Sequence, residues 1–339
     1  NMYPTLAKAY AGIIVKNQFE GLKESLKIED IIAIFYMKRQ FTSRLGSIWK
    51  YFKTFALFFQ YLFKRYDIVH LHFFYPLIYL VWIYKKIHPK TKIVVTFHGS
   101  DITTSVHDKN KKHLRKIARI IDFTIPVGST IAKMVEDKLL LRTGKILPVG
   151  VNNNVFYLQD EQAKIYDYIS IGSFIEVKGI DIAIKAIKAL PNDQISFCFC
   201  GSGDYLQELQ ELQKNHNITI KQNQTQEQLR ELLNESKFFF LMSRNEGFPT
   251  ATIEAMYCGV PVITSDIPQF KEQVVEGVNG YTVPLGDSEA LTGKLVELKH
   301  ISETEYYNLK QGALDSFKEL SLQQVCNELI EIYNKLLED

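Results

Sequence analysis

The sequence has few cysteines and no long apolar run, and each shortage excludes a class of protein. Only 4 of the 339 residues are cysteines; they are too few for a disulfide framework and lack the C-x-x-C spacing of many zinc sites. The longest apolar stretch, 73–84, contains Pro76 and falls short of the roughly 20 residues that span a bilayer. No charged segment followed by an apolar one opens the sequence. We therefore expect a reduced, cytoplasmic protein without a membrane span.

The composition is that of a globular protein. Hydrophobic residues make up 46% of the chain and charged residues 23%, which excludes disordered, collagen-like and coiled-coil proteins. The net charge of +2 hides a strong asymmetry, because residues 1–150 carry a charge of +15 and residues 151–339 a charge of −13. Such a split indicates two domains, the first of which faces an anionic partner.

Apolar runs alternate with helical patterns along the whole chain. Strands are predicted at 67–72, 92–97, 123–127, 145–149, 168–171, 195–200, 218–220, 238–241 and 260–264. Helices between most of them favour parallel sheets covered on both faces. The predicted fold class is α/β, with two Rossmann-like, doubly wound domains that face each other across a cleft. The predicted domains are 1–155, 156–320 and a C-terminal helix at 321–339, for which packing against the first domain is one option.

In such sheets ligands bind at the carboxyl ends of strands, where loops meet helix N-termini. The segment Ser243–Met256 (SRNEGFPTATIEAM) follows a predicted strand and carries Glu246 in its loop. Pro249 is predicted to be the first residue of the next helix, whose exposed N–H groups suit a diphosphate. Glu254 lies one turn into that helix, so both carboxylates are available to sugar hydroxyls. The residues alone leave a second interpretation open, in which Glu246 caps the helix and Glu254 is solvated.

Three further strand ends carry weaker signals. Lys178 closes the segment 171–178 beside a helix start, where it can neutralise a phosphate, although an ordinary surface lysine fits the pattern too. Residues 200–204 (CGSGD) are only a fragment of the dinucleotide fingerprint, and a tight turn explains them as well. His98, in the segment 97–101 (FHGSD), can approach a substrate, or it is a structural histidine.

Together these motifs resemble the retaining glycosyltransferases of family 4, which have the GT-B fold. The E-x(7)-E motif of that family is spelled Glu246 to Glu254, and the sequences EGFPTATIEAMYCGVPVITSD and EGVNGYTVPLGD are typical of it. The resemblance covers nearly the whole chain. It implies that the first domain binds an acceptor and that the second binds a nucleotide-sugar donor.

The resemblance also implies roles for individual residues. Glu254 would hold the nucleotide ribose, and Glu246 the donor sugar. Lys178 would bind the diphosphate, His98 would stand beside the donor sugar and the reaction centre, and Gly12 would lie in a loop against the phosphates. The catalytic candidates are thus His98, Glu246 and Lys178. The donor-binding candidates are Gly12, Ser173, Lys178, Glu246, Gly247, Phe248, Pro249, Thr250 and Glu254.

Three features depart from the family's pattern. Ser173 stands where the family usually has an arginine, so one of two cations on the leaving diphosphate is missing or is supplied from elsewhere. The segment 148–152 reads Pro-Val-Gly-Val-Asn in place of the usual Pro-Asn-Gly-Val-Asp. The family's first strand should precede the opening NMYPT, and its loss would weaken the first sheet and the Gly12 loop.

A predicted helix in the first domain combines positive charge with aromatic rings. Residues 38–65 contain seven Lys/Arg, no Asp/Glu and nine aromatics, with Phe52, Phe55, Phe59 and Phe63 at helical spacing. Such a helix can lie in a membrane interface and meet a lipid-linked, anionic acceptor. In the alternative, it is a core helix whose rings pack on the sheet and whose cations are solvated. The core interpretation is favoured for most of the rings, and the membrane interpretation is favoured for the cations. Nucleic acid is a poorer partner, because no nucleic-acid module is recognised.

These expectations combine into one hypothesis. The chain is predicted to be a retaining hexosyltransferase that uses a nucleotide sugar such as a UDP- or GDP-sugar to extend a glycan or lipid-linked acceptor in cell-surface polysaccharide biosynthesis, at the inner face of the membrane. No D-x-D motif occurs, which fits a site that uses protein cations and no metal or other cofactor. Two alternatives stay open: a catalytically silent sugar-nucleotide-binding subunit of a transferase complex, and a sugar-nucleotide epimerase on the same fold.

Overall fold

The computed structural model describes residues 12–26, 32–36, 44–159, 162–190 and 195–338, with the backbone alone for 44–52. Contacts divide the chain into two compact units. The first consists of Asn1–Gly150 together with Leu322–Asp339, and the second is Val151–Ser321. The chain therefore returns to its first unit with its last helix.

The first unit is built on a parallel sheet with the strand order β1-β2-β3. Its strands are β1 (Ile68–His72), β2 (Lys92–Phe97) and β3 (Phe123–Pro126). Its helices are α1 (Ile13–Ser25), α2 (Arg44–Leu62), α3 (Ile78–Ile87), α4 (Ser100–Thr103), α5 (Asp108–Ala118), α6 (Ser129–Leu139) and α14 (Leu322–Glu338). β2 is buried over nearly its whole length, as expected for a central parallel strand that is covered on both faces. In the described parts of both units, no helix combines the length and the apolar character needed to cross a membrane.

The strand predicted at 145–149 is wrong, because this segment has no regular secondary structure. It still runs beside β3, since the Leu147 N–H group donates to the Pro126 carbonyl oxygen at 3.0 Å. Pro126 explains why no regular ladder forms. It has no N–H group to donate, so the reciprocal bond that β3 would return to this segment is missing.

The C-terminal helix α14 packs against α1 within the first unit. A Cβ atom at Gly21 of α1 would lie 2.9 Å from the Cys326 Sγ atom, and the Gln323 amide donates to the Ser25 hydroxyl at 2.9 Å. Further along α14, Tyr333 reaches the side chains of β1. The last helix of the chain thus contributes to the surroundings of the first sheet.

A cavity of about 580 Å³ lies within the first unit, along β1. Its lining comes from β1, from residues 32–36 and from α1, α2, α3 and α14, and it is mostly apolar. Among the described residues, β1 pairs with β2 alone. The further strand that the resemblance implies for this sheet stays a prediction.

The second unit contains a wholly parallel sheet with the order β6-β5-β4-β7-β8-β9. Its strands are β4 (Tyr166–Ile171), β5 (Phe197–Cys200), β6 (Ile218–Lys221), β7 (Ser236–Leu241), β8 (Val262–Ser265) and β9 (Gly280–Val283). Its helices are α7 (Ile180–Lys188), α8 (Leu206–Leu212), α9 (Gln226–Asn234), α10 (Thr250–Tyr257), α11 (Pro268–Lys271), α12 (Ser288–Lys299) and α13 (Glu303–Ser316), and a 3-10 turn spans Glu176–Lys178. Alternate residues of β4, β5 and β7 belong to two separate buried clusters, as expected for a sheet covered on both faces.

β9 lies outside the strands that the sequence predicts. It is short and begins with Gly280, a residue type that strands disfavour. The structure requires that glycine, because a Cβ atom there would lie 2.1 Å from the Val262 carbonyl oxygen of β8. Close approach of two backbones, which leaves little trace in an apolar pattern, explains why the strand escaped prediction.

We predict that Gly179→Ala lowers the free energy of unfolding by about 2–5 kcal/mol, since left-handed strain and overpacking add together. Gly179 lies between the 176–178 turn and α7 with a φ of 69°. A Cβ atom there would lie 1.9 Å from the Met242 carbonyl oxygen. Urea unfolding of the variant measures the change.

Gly277→Ala is the matched control. Gly277 has a φ of 71°, and nothing lies within 4 Å of the position that its Cβ atom would take. This variant should lose only the left-handed strain, about 1–2 kcal/mol. Equal losses in the two variants would show that the contact at Gly179 is unimportant.

Candidate functional site

The loop after β7 and the helix that follows it carry most of the predicted site residues. β7 ends at Leu241 and continues into a loop with Ser243 and Glu246. α10 then begins at Thr250, and Pro249, predicted to be its first residue, immediately precedes it in an extended conformation. Pro249, the N-cap residue of α10, has no side-chain group that accepts a hydrogen bond from the first turn. The N–H groups of that turn are therefore open to a ligand.

Glu246 and Lys178 form an ion pair. The Lys178 Nζ atom lies 2.6 and 2.9 Å from the two carboxylate oxygens of Glu246. The Ser243 hydroxyl donates to the same carboxylate at 2.6 Å, and the Ser243 carbonyl accepts from the Ser265 hydroxyl at 2.5 Å. The pair forms because β4 and β7 are neighbours in the sheet, so the loops that follow them meet at the same edge. Two catalytic candidates are thus in direct contact.

Glu254 lies in the second turn of α10 and is partly buried. Desolvation raises the pKa of its carboxyl group to about 7, because burial disfavours the charged form. No hydrogen bond or charge from a described residue opposes that shift. A carboxylate in such a position gains more from hydroxyl donors than a solvated one does.

Arg244 ties the 176–178 turn to the loop after β7. Its guanidinium forms a bidentate ion pair with Asp181 at 2.7 and 2.8 Å and donates to the Glu176 carbonyl oxygen. Its backbone N–H group donates to the Val177 carbonyl oxygen at 2.8 Å. The hydrogen bonds from the guanidinium lower the pKa of Asp181. Arg244, which the sequence did not single out, therefore positions the two loops that carry the ion pair.

Ser173 is exposed in the loop after β4. The loop after β5 packs closely on this one, since the Phe174 N–H group donates to the Ser202 carbonyl oxygen at 2.9 Å. A Cβ atom at Gly201 would lie 1.8 Å from the Gly172 carbonyl oxygen. The glycines of the CGSGD segment thus serve a close approach of two loops.

The remaining donor-binding candidates lie in two places. Gly247 and Phe248 are partly exposed between Glu246 and α10, and the Phe248 ring packs against one of the buried clusters of the second unit. Gly12 belongs to the first unit, where it immediately precedes α1 with a φ of 76°. Its left-handed conformation fits the glycine that the resemblance implies at this helix start.

His98 follows β2 in the first unit and lies against the end of β1. Its Nε2 atom is 3.0 Å from the His72 Nδ1 atom, and the Phe73 ring stacks on it with 4.3 Å between ring centroids. Phe73 has a φ of 66°, a strained conformation for a residue with a Cβ atom. Burial lowers the pKa of His98 to about 3, so its imidazole is neutral at neutral pH. His98 is therefore a hydrogen-bonding group and not a cation.

Asp101 holds the loops after β1 and β2 together, and the sequence did not single it out. Its Oδ1 atom accepts from the N–H groups of His98 and Gly99 at 3.1 and 2.9 Å, and its Oδ2 atom accepts from the Phe74 N–H group at 2.8 Å. Desolvation raises its pKa to about 6, although the backbone hydrogen bonds oppose that shift. The available signal was the FHGSD spacing, at which a carboxylate reaches back to N–H groups two and three residues earlier.

A second histidine connects β1 to the last helix. His70 contacts the hydroxyls of Tyr333 and Thr96 at 2.5 and 2.7 Å, and its ring stacks on His72 at 4.5 Å. Burial lowers the pKa of His70 to about 3. The histidines thus form a neutral, hydrogen-bonded group. Within the described ranges, no cluster of three or more His, Cys, Asp or Glu side chains is arranged to hold a metal ion.

Two family models match this chain. The model described as Glycosyltransferase Family 4 matches residues 19–152, and the model described as Glycosyl transferases group 1 matches residues 159–313. The chain belongs to glycosyltransferase family 4. The assignment drawn from the E-x(7)-E motif and its surroundings is confirmed, and the protein is a glycosyltransferase.

Two curated relatives of this glycosyltransferase have named activities. The chain is 24% identical over 290 residues to N-acetyl-alpha-D-glucosaminyl L-malate synthase of Bacillus anthracis, a match that covers 80% of this chain and 76% of the relative. It is 25% identical over 291 residues to the GDP-mannose:cellobiosyl-diphosphopolyprenol alpha-mannosyltransferase of Xanthomonas oryzae, covering 80% and 74%.

Solved structures confirm the fold class. The glycosyltransferase is similar to Anabaena HepE, whose structure contains UDP-glucose, with a TM-score of 0.76, 14% sequence identity and coverage of 98% of each chain. At that identity the likeness shows the fold alone. The fold is GT-B, with two α/β units that each contain a parallel sheet.

We predict that Glu254→Gln stabilises the glycosyltransferase at pH 8 and that this gain fades as the pH falls. The pKa of Glu254 is about 7 in the folded state, against a usual 4.5, so the folded state binds this proton more tightly. The stability that proton binding provides is complete below pH 4.5 and is lost as the pH rises through 7. The difference between variant and wild type should grow with pH by at most about 3 kcal/mol.

Urea unfolding at a series of pH values from 5 to 8 measures this difference. Glu319→Gln, which changes an exposed glutamate of the same unit, is the control and should leave the pH dependence unchanged. Parallel curves for wild type and Glu254→Gln would mean that Glu254 is solvated after all.

We predict that Arg244→Lys and Asp181→Asn are not additive. A lysine cannot form the bidentate pair, and an asparagine carries no charge, so each variant removes the same interaction. The double variant should lose about 1–2 kcal/mol less than the sum of the single losses. Urea unfolding of the four proteins gives this coupling, and additive losses would exclude the proposed link between the two loops.

Proposed function

We propose that this enzyme transfers a sugar from a nucleotide-sugar donor to a glycan or lipid-linked acceptor in cell-surface polysaccharide biosynthesis, with retention at the anomeric carbon. The observation that carries the proposal is the pairing of Lys178 with Glu246 at the carboxyl edge of β4 and β7, on the loop that leads to the uncapped first turn of α10. A cation, a carboxylate and open N–H groups suit a sugar joined to a diphosphate. The Xanthomonas relative, whose name includes a lipid-linked acceptor, supports the acceptor class.

The leaving diphosphate needs compensation for its growing negative charge. An ammonium group has three N–H donors, and the bonds from Lys178 to Glu246 use two of them. We assign the third donor, together with the first-turn N–H groups of α10, to the diphosphate as preorganised electrostatic stabilisation. This assignment needs no metal ion, so donor turnover should persist in the presence of EDTA.

The two glutamates have separate tasks in this proposal. Glu246, held in place by Lys178 and Ser243, would accept hydrogen bonds from hydroxyls of the donor sugar. Glu254, one to two turns into α10, would accept from the ribose hydroxyls, whose donors would stabilise the carboxylate that burial disfavours.

The bond changes balance without a protein nucleophile. The bond between the anomeric carbon and the phosphate oxygen breaks, and the acceptor hydroxyl oxygen attacks from the same face. The proton of that hydroxyl passes to the leaving diphosphate. In the first unit, the neutral His98 is suited to hydrogen-bond a hydroxyl, and the roles of His98 and Gly12 stay predictions.

We also propose that the enzyme works in the cytoplasm, at the inner face of the cell membrane. The four cysteines are free and buried, which suits a reducing compartment. The charge of +15 on residues 1–150 favours contact with an anionic surface. The membrane surface is therefore the partner that we assign to the first unit.

A thermal-shift panel of UDP-, GDP-, ADP- and dTDP-sugars tests the donor site. One nucleotide class should raise the melting temperature of the wild type by a few degrees, because a ligand that binds only the folded state stabilises it by mass action. Glu254→Ala should abolish this rise, and Glu319→Ala should keep it. The absence of a shift with every donor, or an unchanged shift in Glu254→Ala, would contradict the proposal.

Donor hydrolysis separates the enzyme from its alternatives. A transferase should hydrolyse its donor slowly without an acceptor, and Glu246→Ala should abolish that reaction. A silent subunit would show no hydrolysis in either protein, and an epimerase would convert the sugar without any acceptor.

A further inference from the structure

The helix α2 has a core-facing side that is well packed. Thr54 and Leu62 are buried, and the rings of Phe58 and Tyr61 lie 5.2 and 5.5 Å from the Phe35 ring, measured between centroids. This side matches the core-helix interpretation of the aromatic pattern. The core-facing side accounts for only some of the aromatic residues in α2 and directly after it.

The other side of α2 carries a row of phenylalanines. Phe55, Phe59 and Phe63 are 46%, 54% and 70% exposed, and their four-residue spacing places them one above another. The rings of Phe59 and Phe63 meet edge to face at 5.2 Å. Core packing does not explain this phenylalanine row, because its rings point away from the buried side. A contiguous exposed apolar strip of this kind marks an interaction surface.

The residues that flank the phenylalanine row in the sequence are positively charged. Lys53, Lys64 and Arg65 are all exposed, and the first acidic residue after residue 30 is Asp67. Two copies of such a surface would repel each other, since each would bring cations against cations. An anionic lipid surface neutralises the same charges and accepts the aromatic rings at its headgroup boundary.

We propose that the phenylalanine row inserts into the interface of an anionic bilayer while Lys53, Lys64 and Arg65 contact the lipid headgroups. The inference rests on the proposed function, because it names the surface at which a lipid-linked acceptor would be met. Both the phenylalanine rings and the cations are needed, because a single weak membrane anchor gives only marginal, reversible binding. The long lysine and arginine side chains reach headgroups while their stems lie along apolar surface.

Vesicle co-sedimentation without donor or acceptor tests this proposal. The wild type should bind vesicles of equal parts phosphatidylcholine and phosphatidylglycerol, more weakly as salt rises, and should not bind pure phosphatidylcholine. Phe59→Ser/Phe63→Ser should weaken that binding by roughly tenfold or more. Lys53→Gln/Lys64→Gln/Arg65→Gln should weaken it and flatten its salt dependence.

Tyr307→Ser is the matched control, because Tyr307 is 64% exposed in the second unit and should not affect vesicle binding. All substituted side chains are exposed, so circular dichroism should show folded proteins. Equal binding by the wild type and the double phenylalanine variant would overturn the proposal, as would failure of the wild type to bind anionic vesicles. A dimer seen by light scattering that the double variant dissolves would assign the row to a second copy instead.

The donor panel is independent of this experiment. A protein that binds a nucleotide sugar but not vesicles contradicts the membrane inference alone. A protein that binds vesicles but no nucleotide sugar contradicts the proposed function and leaves the membrane contact standing.

Discussion

Gly179 and the carbonyl group of Met242 meet with no side chain between them, and the position of Lys178 depends on that contact. Because Gly179 lacks a Cβ atom, the 176–178 turn can settle against the end of β7. The ion pair with Glu246 at 2.6 Å follows from this approach, and Arg244 fastens the same two loops from the other end of the turn. The close packing of these two backbone segments therefore determines where the charged side chains at this edge of the sheet lie.

The sequence predicted the architecture well where pattern and topology agree. Most strands of the second unit lie within a few residues of their predicted positions, because buried parallel strands are continuous apolar runs. The pattern failed at 145–149, because Pro126 cannot donate the reciprocal bond of the ladder that apolar residues suggested. It also missed β9, which begins with Gly280, because the role of that glycine is to allow close contact between two backbones.

The candidate site likewise combines residues that are close together in the sequence with residues that are far apart in it. Glu246 and Glu254 belong to one short segment, so spacing alone could place them on one loop and its helix. The Arg244–Asp181 pair joins residues 63 positions apart, and the His70–Tyr333 contact joins residues 263 apart. The periodicity of apolar residues in the sequence contains no information about such distant pairs. The aromatic pattern of α2 was a related case, because spacing predicts one stripe but cannot say which rings face the core and which face outward.

Ser173, which is exposed, stands where the resemblance implies a second cation for the diphosphate. Arg244 follows β7 and could be regarded as the replacement cation, but its guanidinium is already committed to Asp181 and to the Glu176 carbonyl. Its release would leave a carboxylate without its partner, at a cost that a diphosphate contact would first have to offset. In the proposed reaction, the first-turn N–H groups of α10 would then stabilise a larger share of the leaving charge than they would beside a second cation. Such dipoles are fixed by the fold and need no reorganisation during the reaction, so this stabilisation would depend on the placement of the loop before α10.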